Sequence, residues 1–366
     1  MASPYENLEP RKFWRNGVTE SHPLTVSDLY RKKFAIGASD RIATAGSCFA
    51  QHISNYLRAN GFSIIDKEPP PPFLDDAKRK EYGYTLYSAR YGNIYTVRQL
   101  LQLAEDAFAG AVDPADFWTK DGRIYDALRP NVEPQGFATL QEAIANRRYH
   151  LRKVRELFQE MTVFIFTLGL TEAWVSEKTG RVYPTAPGTI AGSFDPELHA
   201  FKNFRARHVL KDFIRFHDLV RERNPNLKII LTVSPVPLTA TASNHHVLVA
   251  TTYSKSVLRG VAGELAETYD NIDYFPSYEI VASPWSKGFF YESNMRSVNP
   301  GGVAAVMRVF FEQHGTAAPK GAAAERPQAG TAAERQAQRR ALKQGKGLKP
   351  DEEAVCEEIL LDAFAR

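Results

Sequence analysis

The chain has 366 residues, 43% of them hydrophobic and 11% aromatic, which is enough to bury a sizeable core in one large or two modest domains. Its net charge of +4 hides a split: residues 316–350 carry eight Lys/Arg against two Glu, residues 351–366 carry one Arg against six Asp/Glu, and the remainder, at +3, is no nucleic-acid platform. Two cysteines, Cys48 and Cys356, are too few for a disulfide framework or a zinc cluster, so neither metal nor cofactor is expected, and no apolar stretch approaches a membrane span.

Residues 1–40 are polar and proline-punctuated and read as an irregular lead-in. The first ten lack the apolar core of a secretory leader, so a cytoplasmic location is expected. In residues 41–57 a short apolar run (Ile42 to Ala45) meets Gly46, and Phe49, Ile53, Tyr56 and Leu57 then recur at helical spacing. The pattern predicts strand, sharp turn and helix. Ser47 and Cys48 occupy that turn, where the unpaired amides and dipole of a helix N-terminus favour a thiolate or an oxyanion. The residues alone fit two accounts, a nucleophile turn and a small-residue turn around an inert buried cysteine.

Gly46-Ser47-Cys48-Phe49-Ala50 spells the signature of the GSCFA family, which the chain resembles over about residues 41–312. That family is similar to the SGNH (GDSL-like) hydrolases, whose Gly-Asp-Ser occupies the same kind of turn. The resemblance implies a three-layer α/β/α, flavodoxin-like parallel sheet over residues 41–315. Superposing the glycines sets Cys48 on the serine nucleophile of those enzymes and Ser47 on their Asp, with Ser47 as rival nucleophile. It also implies an acyl esterase or acyltransferase acting on a carbohydrate or glycoconjugate.

Residues 61–65 read as a short strand, ended by the prolines 69–72. Residues 82–95 hold five tyrosines together with Arg90 and Asn93. They suit either a sugar site, with Tyr91 and Asn93 as substrate contacts, or half-buried packing. Thr96 is a candidate N-cap for a helix carrying Leu100, Leu101, Leu103 and Phe108, and residues 140–161 predict a long helix. The stretch 82–160 is therefore expected to be a helical insertion or cap over the sheet. Residues 163–168 predict a doubly buried strand ending at Gly169-Leu170-Thr171-Glu172. SGNH enzymes carry Gly-x-Asn-Asp there, which implies Gly46, Gly169 and Thr171 as oxyanion donors and Glu172 as a substrate contact; the alternative makes Thr171 a helix N-cap.

A helix follows at about 204–223, a strand at 228–233, a loop containing His245 and His246, a helix at 253–269, a strand at 272–275 and a last helix at 301–311. Strands alternating with helices predict a parallel sheet with helices on both faces, its ligand lying beyond the carboxyl ends of the strands. The turns at 46–48, 169–172 and 234–244 are expected to meet at that rim.

SGNH hydrolases end on Asp-x-x-His before the last helix. Here residues 292–301 contain no histidine, and Asn299 stands where it is expected. Three histidines are candidate bases: His246 and His245 on the rim loop, and His52, four residues beyond Cys48 on the same helix face. Lys255, Arg296 and Arg90 are candidate anion contacts. The competing function is a non-catalytic glycan- or ligand-binding module that kept the fold and lost the histidine. Residues 316–350 read as a disordered basic linker, and residues 351–366 as a short acidic amphipathic helix that docks on a protein partner or on its own core.

Overall fold

The computed structural model describes residues 3–25, 27–315, 360, 361, 364 and 365. The expected basic linker and most of the expected acidic helix lie outside the described residues. After a lead-in with short helical turns at Pro10–Lys12 and Arg15–Thr19, the chain forms strand β1 (Ile42–Gly46) and helix α1 (Phe49–Ala59), followed by α2 (Asp76–Glu81) and α3 (Val97–Ala109). A hairpin of β2 (Phe117–Lys120) and β3 (Arg123–Asp126) leads to α4 (Leu140–Glu160) and β4 (Val163–Leu168). Three short strands follow, β5 (Glu172–Ser176), β6 (Val182–Tyr183) and β7 (His199–Asn203), then α5 (Ala206–Arg221) and β8 (Lys228–Val233). The chain closes with α6 (Val247–Thr268), β9 (Ile272–Tyr274), α7 (Ser277–Ala282) and α8 (Pro300–His314).

The central sheet runs β1-β4-β8-β9, all parallel, in a register that pairs Ile42 with Val163, Val163 with Lys228 and Ile229 with Ile272. Parallel strands bury both faces, and alternate side chains here feed two separate cores. Ala43, Ala45, Phe164, Phe166, Ile229 and Leu231 point to one side, where they pack with Leu100 of α3, Val154 and Phe158 of α4, Phe213 of α5 and Leu258 of α6. Ile42, Val163, Ile165 and Ile230 point to the other, against Ile53 of α1, Ile280 of α7 and Val306 of α8. The fold is thus an α/β protein with a central four-stranded parallel sheet between two layers of helices.

Several expectations change in detail. The strand expected at 61–65 is reduced to a single parallel bridge between Ile64 and Ile42 at the sheet edge. Thr171 does not cap a helix: β5 follows it, pairing antiparallel with β6 and β7. In the stretch 82–160, α3 and α4 lie in the main helical layer against the sheet, and the β2–β3 hairpin, turned by Asp121 (φ 50°) and Gly122 (φ 71°), packs Trp118 and Tyr125 with Tyr183 and Ala191. Thr96 caps α3 with the reciprocal bonds of a capping box to Gln99. Among the described residues no helix is long and apolar enough to cross a membrane.

Candidate active site

Because β1, β4 and β8 are parallel and in register, their carboxyl ends lie side by side. Ser47, Gly169 and Ser234 leave the sheet at one edge, with the Ser234 amide donating to the Leu168 carbonyl at 2.8 Å. Gly46 fixes the first of these turns. Its φ is +135°, and a Cβ there would lie 2.3 Å from the Thr167 carbonyl oxygen, so the β1 backbone turns away from β4 only with glycine at this position. The amide of Ser47 donates to that same oxygen at 3.3 Å, and Cys48 becomes the N-cap of α1 in helical conformation.

Ser47 and Cys48 are both buried, at 3% and 6% exposure. Among the described residues the Ser47 hydroxyl has no hydrogen-bond partner. It lies beside Gly169, where an added Cβ would come within 3.1 Å of the Ser47 Cβ and 3.0 Å of the Tyr95 carbonyl oxygen. Gly169 therefore lies closely against the Ser47–Cys48 turn, with no room for a side chain. The amide of Ser47, expected among the oxyanion donors after Gly46, is already bonded to the sheet.

Below the turn sits a polar web. The Tyr87 hydroxyl lies between the Ser47 carbonyl (3.1 Å) and Asn93 Oδ1, and Gln51 Nε2 donates to both Tyr87 (3.2 Å) and Asn93 (3.3 Å). Two small cavities of about 20 Å³ reach Asn93, one lined by Tyr91, Arg129 and Arg147 and the other by Lys80 and Tyr87. Each has room for about one water molecule. Tyr91, expected as a sugar contact, is buried and donates its hydroxyl to the Thr44 carbonyl, where burial raises its pKa. Arg90 is likewise committed, to the Tyr82 and Val132 carbonyls and to Glu133 at 3.0 Å.

The remaining predicted residues divide by location. Thr171 is fully buried: its hydroxyl donates to Asn203 Oδ1 at 2.7 Å and its amide to Ser254 Oγ at 3.0 Å, so the hydroxyl faces β7. Glu172 accepts from the Thr241 hydroxyl at 2.9 Å, and burial raises its pKa against the opposing effects of Thr241 and His245. His245 and His246 are exposed, and His246 uses Nδ1 to accept the Leu248 amide at 3.1 Å as the N-cap of α6. His52 is partly buried on α1, edge-on to Phe49 at 5.9 Å between ring centroids, with its pKa lowered by burial and by the nearby Lys80. Asn299 caps α8: its Oδ1 accepts the Gly302 amide at 2.8 Å, and its Nδ2 donates to the Phe289 and Tyr291 carbonyls. Among the described residues no group of three or more His, Cys, Asp or Glu is placed to hold a metal ion.

Sequence reasoning missed Gln51, Asn203 and the bond from Lys255 Nζ to the Gly169 carbonyl (2.7 Å). Gln51 stands in the first turn of a predicted helix, just after Ser47 and Cys48, a signal that was available. Asn203 and the α6 contact bring together residues far apart in sequence, and no local pattern announces them.

Fold and site define an α/β protein with a serine and a cysteine at the mouth of a parallel sheet, under a glycine from the neighbouring strand. The chain belongs to the GSCFA family, whose family model matches residues 41–310. No curated protein matches it. Among solved structures, one of an acetyl esterase mutant with an acetate ion is similar at a TM-score of 0.32 and 8% identity, covering 73% of this chain and 92% of that one. An acetyl xylan esterase from the rumen bacterium Butyrivibrio proteoclasticus is similar at 0.25 and 10%, covering 66% and 56%.

Proposed function

We propose that the protein is an acyl esterase or acyltransferase with Cys48 as nucleophile. The observation that carries this reading is the Ser47 hydroxyl, buried without a partner beside Gly169 at the start of α1. An orphaned buried hydroxyl is costly, and a substrate oxygen arriving at the turn would satisfy it. The N-terminal end of α1 favours negative charge at Cys48, and a thiolate needs less help from a base than a serine does.

In this mechanism His52, neutral and one helical turn beyond Cys48, takes the thiol proton. The thiolate attacks the acyl carbon, and the developing oxyanion is held by the Ser47 hydroxyl and the Gly169 amide. Collapse expels the alcohol, which takes the proton from His52, and leaves a thioester. Water, or the hydroxyl of an acceptor sugar, then attacks the thioester with His52 as base; the C–S bond breaks, the acid or new ester leaves, and the Cys48 sulfur takes back the proton from His52. Cys48 is buried, so access requires the side chains that cover the turn to move. A carbohydrate or glycoconjugate acyl ester is the substrate class that the family resemblance favours.

On a panel of p-nitrophenyl and sugar acetate esters, Cys48→Ala should lose about a thousandfold or more in kcat. Ser47→Ala should lose about a hundredfold, the size of one oxyanion donor. The reverse pattern would exchange the two roles, and an inactive wild-type protein would remove the enzyme reading. One observation favours the alternative, a binding module: among the described residues no imidazole bonds the Ser47 hydroxyl. The burial of Tyr87, Tyr91 and Tyr95 weighs against a tyrosine-lined glycan site on the free surface.

A further inference from the structure

Lys255 lies on α6 with no part of its side chain exposed, and its ammonium donates to the Gly169 carbonyl at 2.7 Å. The preceding residue, Ser254, also fully buried, accepts the Thr171 amide at 3.0 Å. Between them, Leu170 donates its amide to the Tyr95 carbonyl at 2.8 Å. The turn 169–171 is therefore clamped peptide by peptide, and the donor at the glycine that abuts Ser47 is a buried lysine. A buried charge is retained at a real desolvation cost, and in a low-dielectric interior its field reaches neighbouring groups with little screening.

We infer that Lys255 is the positioning residue of the nucleophile turn: it fixes the Gly169 peptide over Ser47 and supplies the buried positive charge that favours the thiolate of Cys48. The inference rests on the reading of residues 46–48 as a nucleophile turn, and it names the electrostatic device behind that reading. It also bears on the missing terminal histidine, because a fixed charge that favours the thiolate lightens the task left to His52. Titratable groups near the turn among the described residues include His52 on α1, Lys80 of α2, which acts on His52, and Tyr87, whose hydroxyl donates to the Ser47 carbonyl. Glu172, which follows Thr171 in the chain, feels the nearby His245.

The test is the pH dependence of iodoacetamide alkylation in the full chain, with Cys356→Ser leaving Cys48 as the single thiol. The midpoint reports thiolate formation, whereas a change in access alters the rate at all pH values. Lys255→Gln keeps a donor for the Gly169 carbonyl and removes the charge; Lys255→Met removes both. The inference predicts that both raise the midpoint by about one unit, a tenfold slower reaction per unit at pH below the midpoint. Ser254→Ala, which loosens the turn without changing charge, should leave the midpoint in place. A folded Lys255→Gln protein with the wild-type midpoint overturns the inference, as does a Ser254→Ala shift of equal size. If Gln and Met proteins fail to fold, Lys255→Arg decides: its charge should preserve the midpoint, and a rise of a full unit overturns the proposal. Alkylation requires no turnover, so a shift in an esterase-inactive protein would sink the enzymatic reading alone, and activity without a shift would sink the role of Lys255 alone.

Discussion

At Gly46 the backbone adopts φ +135° and the peptide of Thr167 fills the space a side chain would need. Gly46→Ala should therefore cost more than about 3 kcal/mol, the sum of strained backbone and overlap with a neighbouring strand that cannot retreat without breaking sheet register. Urea unfolding measures this directly, and a loss under about 1 kcal/mol would show that the turn relaxes. The run of small residues ending in Gly-Ser-Cys made this point readable from sequence, since only glycine allows a strand to fold back so closely over its neighbour. Thr171 was not readable in the same way. Its hydroxyl looked available as an oxyanion donor, yet Asn203, from a strand that pairs 32 residues later, takes it. Asn299 stands where the histidine was expected and acts as a cap.

That cap belongs to the scale of elements. Asn299 ties the first turn of α8 to the loop that precedes it, through one accepted and two donated bonds. Asn299→Ala should lower stability by about 1 kcal/mol or somewhat more, while the folded fraction keeps its turnover. A large fall in kcat at unchanged stability would instead return Asn299 to the active site. The central strands and the long helices were legible because their periodicity is strong: β4 and β8 fall on the predicted residues. The small antiparallel strands were not. Asp121-Gly122 is a hairpin signal, and with both residues at positive φ it makes the turn between β2 and β3. Its flanks, Phe117–Lys120 and Arg123–Asp126, are too short to show alternation. In β5 the sequence Glu-Ala-Trp-Val-Ser alternates weakly, and its strand character comes from pairing with β6 and β7.

Across the whole molecule the two cores hold the sheet, and a buried ionic web ties α3, α4 and the hairpin to it. Asp126 binds Arg129 at 2.9 Å and Arg147 at 3.4 Å, Asp106 binds Arg147 and Arg181, and Glu68 accepts from His150 Nδ1 at 2.6 Å. Burial holds His150 and His314 down at about 4. Burial alone would raise Glu68 and Asp126, but their cationic neighbours and hydrogen bonds bring both to about 2. An unfolded histidine titrates near 6.5, so between pH 6.5 and 4 the unfolded chain binds the extra protons at His150 and His314, and stability falls as pH falls. Glu68 and Asp126 add to the fall from about 4.5 to 2. Asp116 acts oppositely: burial raises it to about 6, so acidification below 6 favours the folded state at that one group. The urea midpoint should therefore decline from about pH 6.5 and more steeply below 4.5, and His150→Leu should flatten the upper part. A midpoint that rises between pH 7 and 5 would contradict this picture.

The central claim is that the turn at the mouth of the sheet takes an acyl group onto itself. Its most direct test is intact and peptide mass spectrometry of the full chain quenched in acid milliseconds after mixing with p-nitrophenyl acetate. We predict a single acetyl group on the peptide containing Ser47 and Cys48, carried by the sulfur, released by hydroxylamine and absent from Cys48→Ala. An unmodified protein, or an acetyl group whose amount is unchanged when Cys48 and Ser47 are both replaced by alanine, would contradict it.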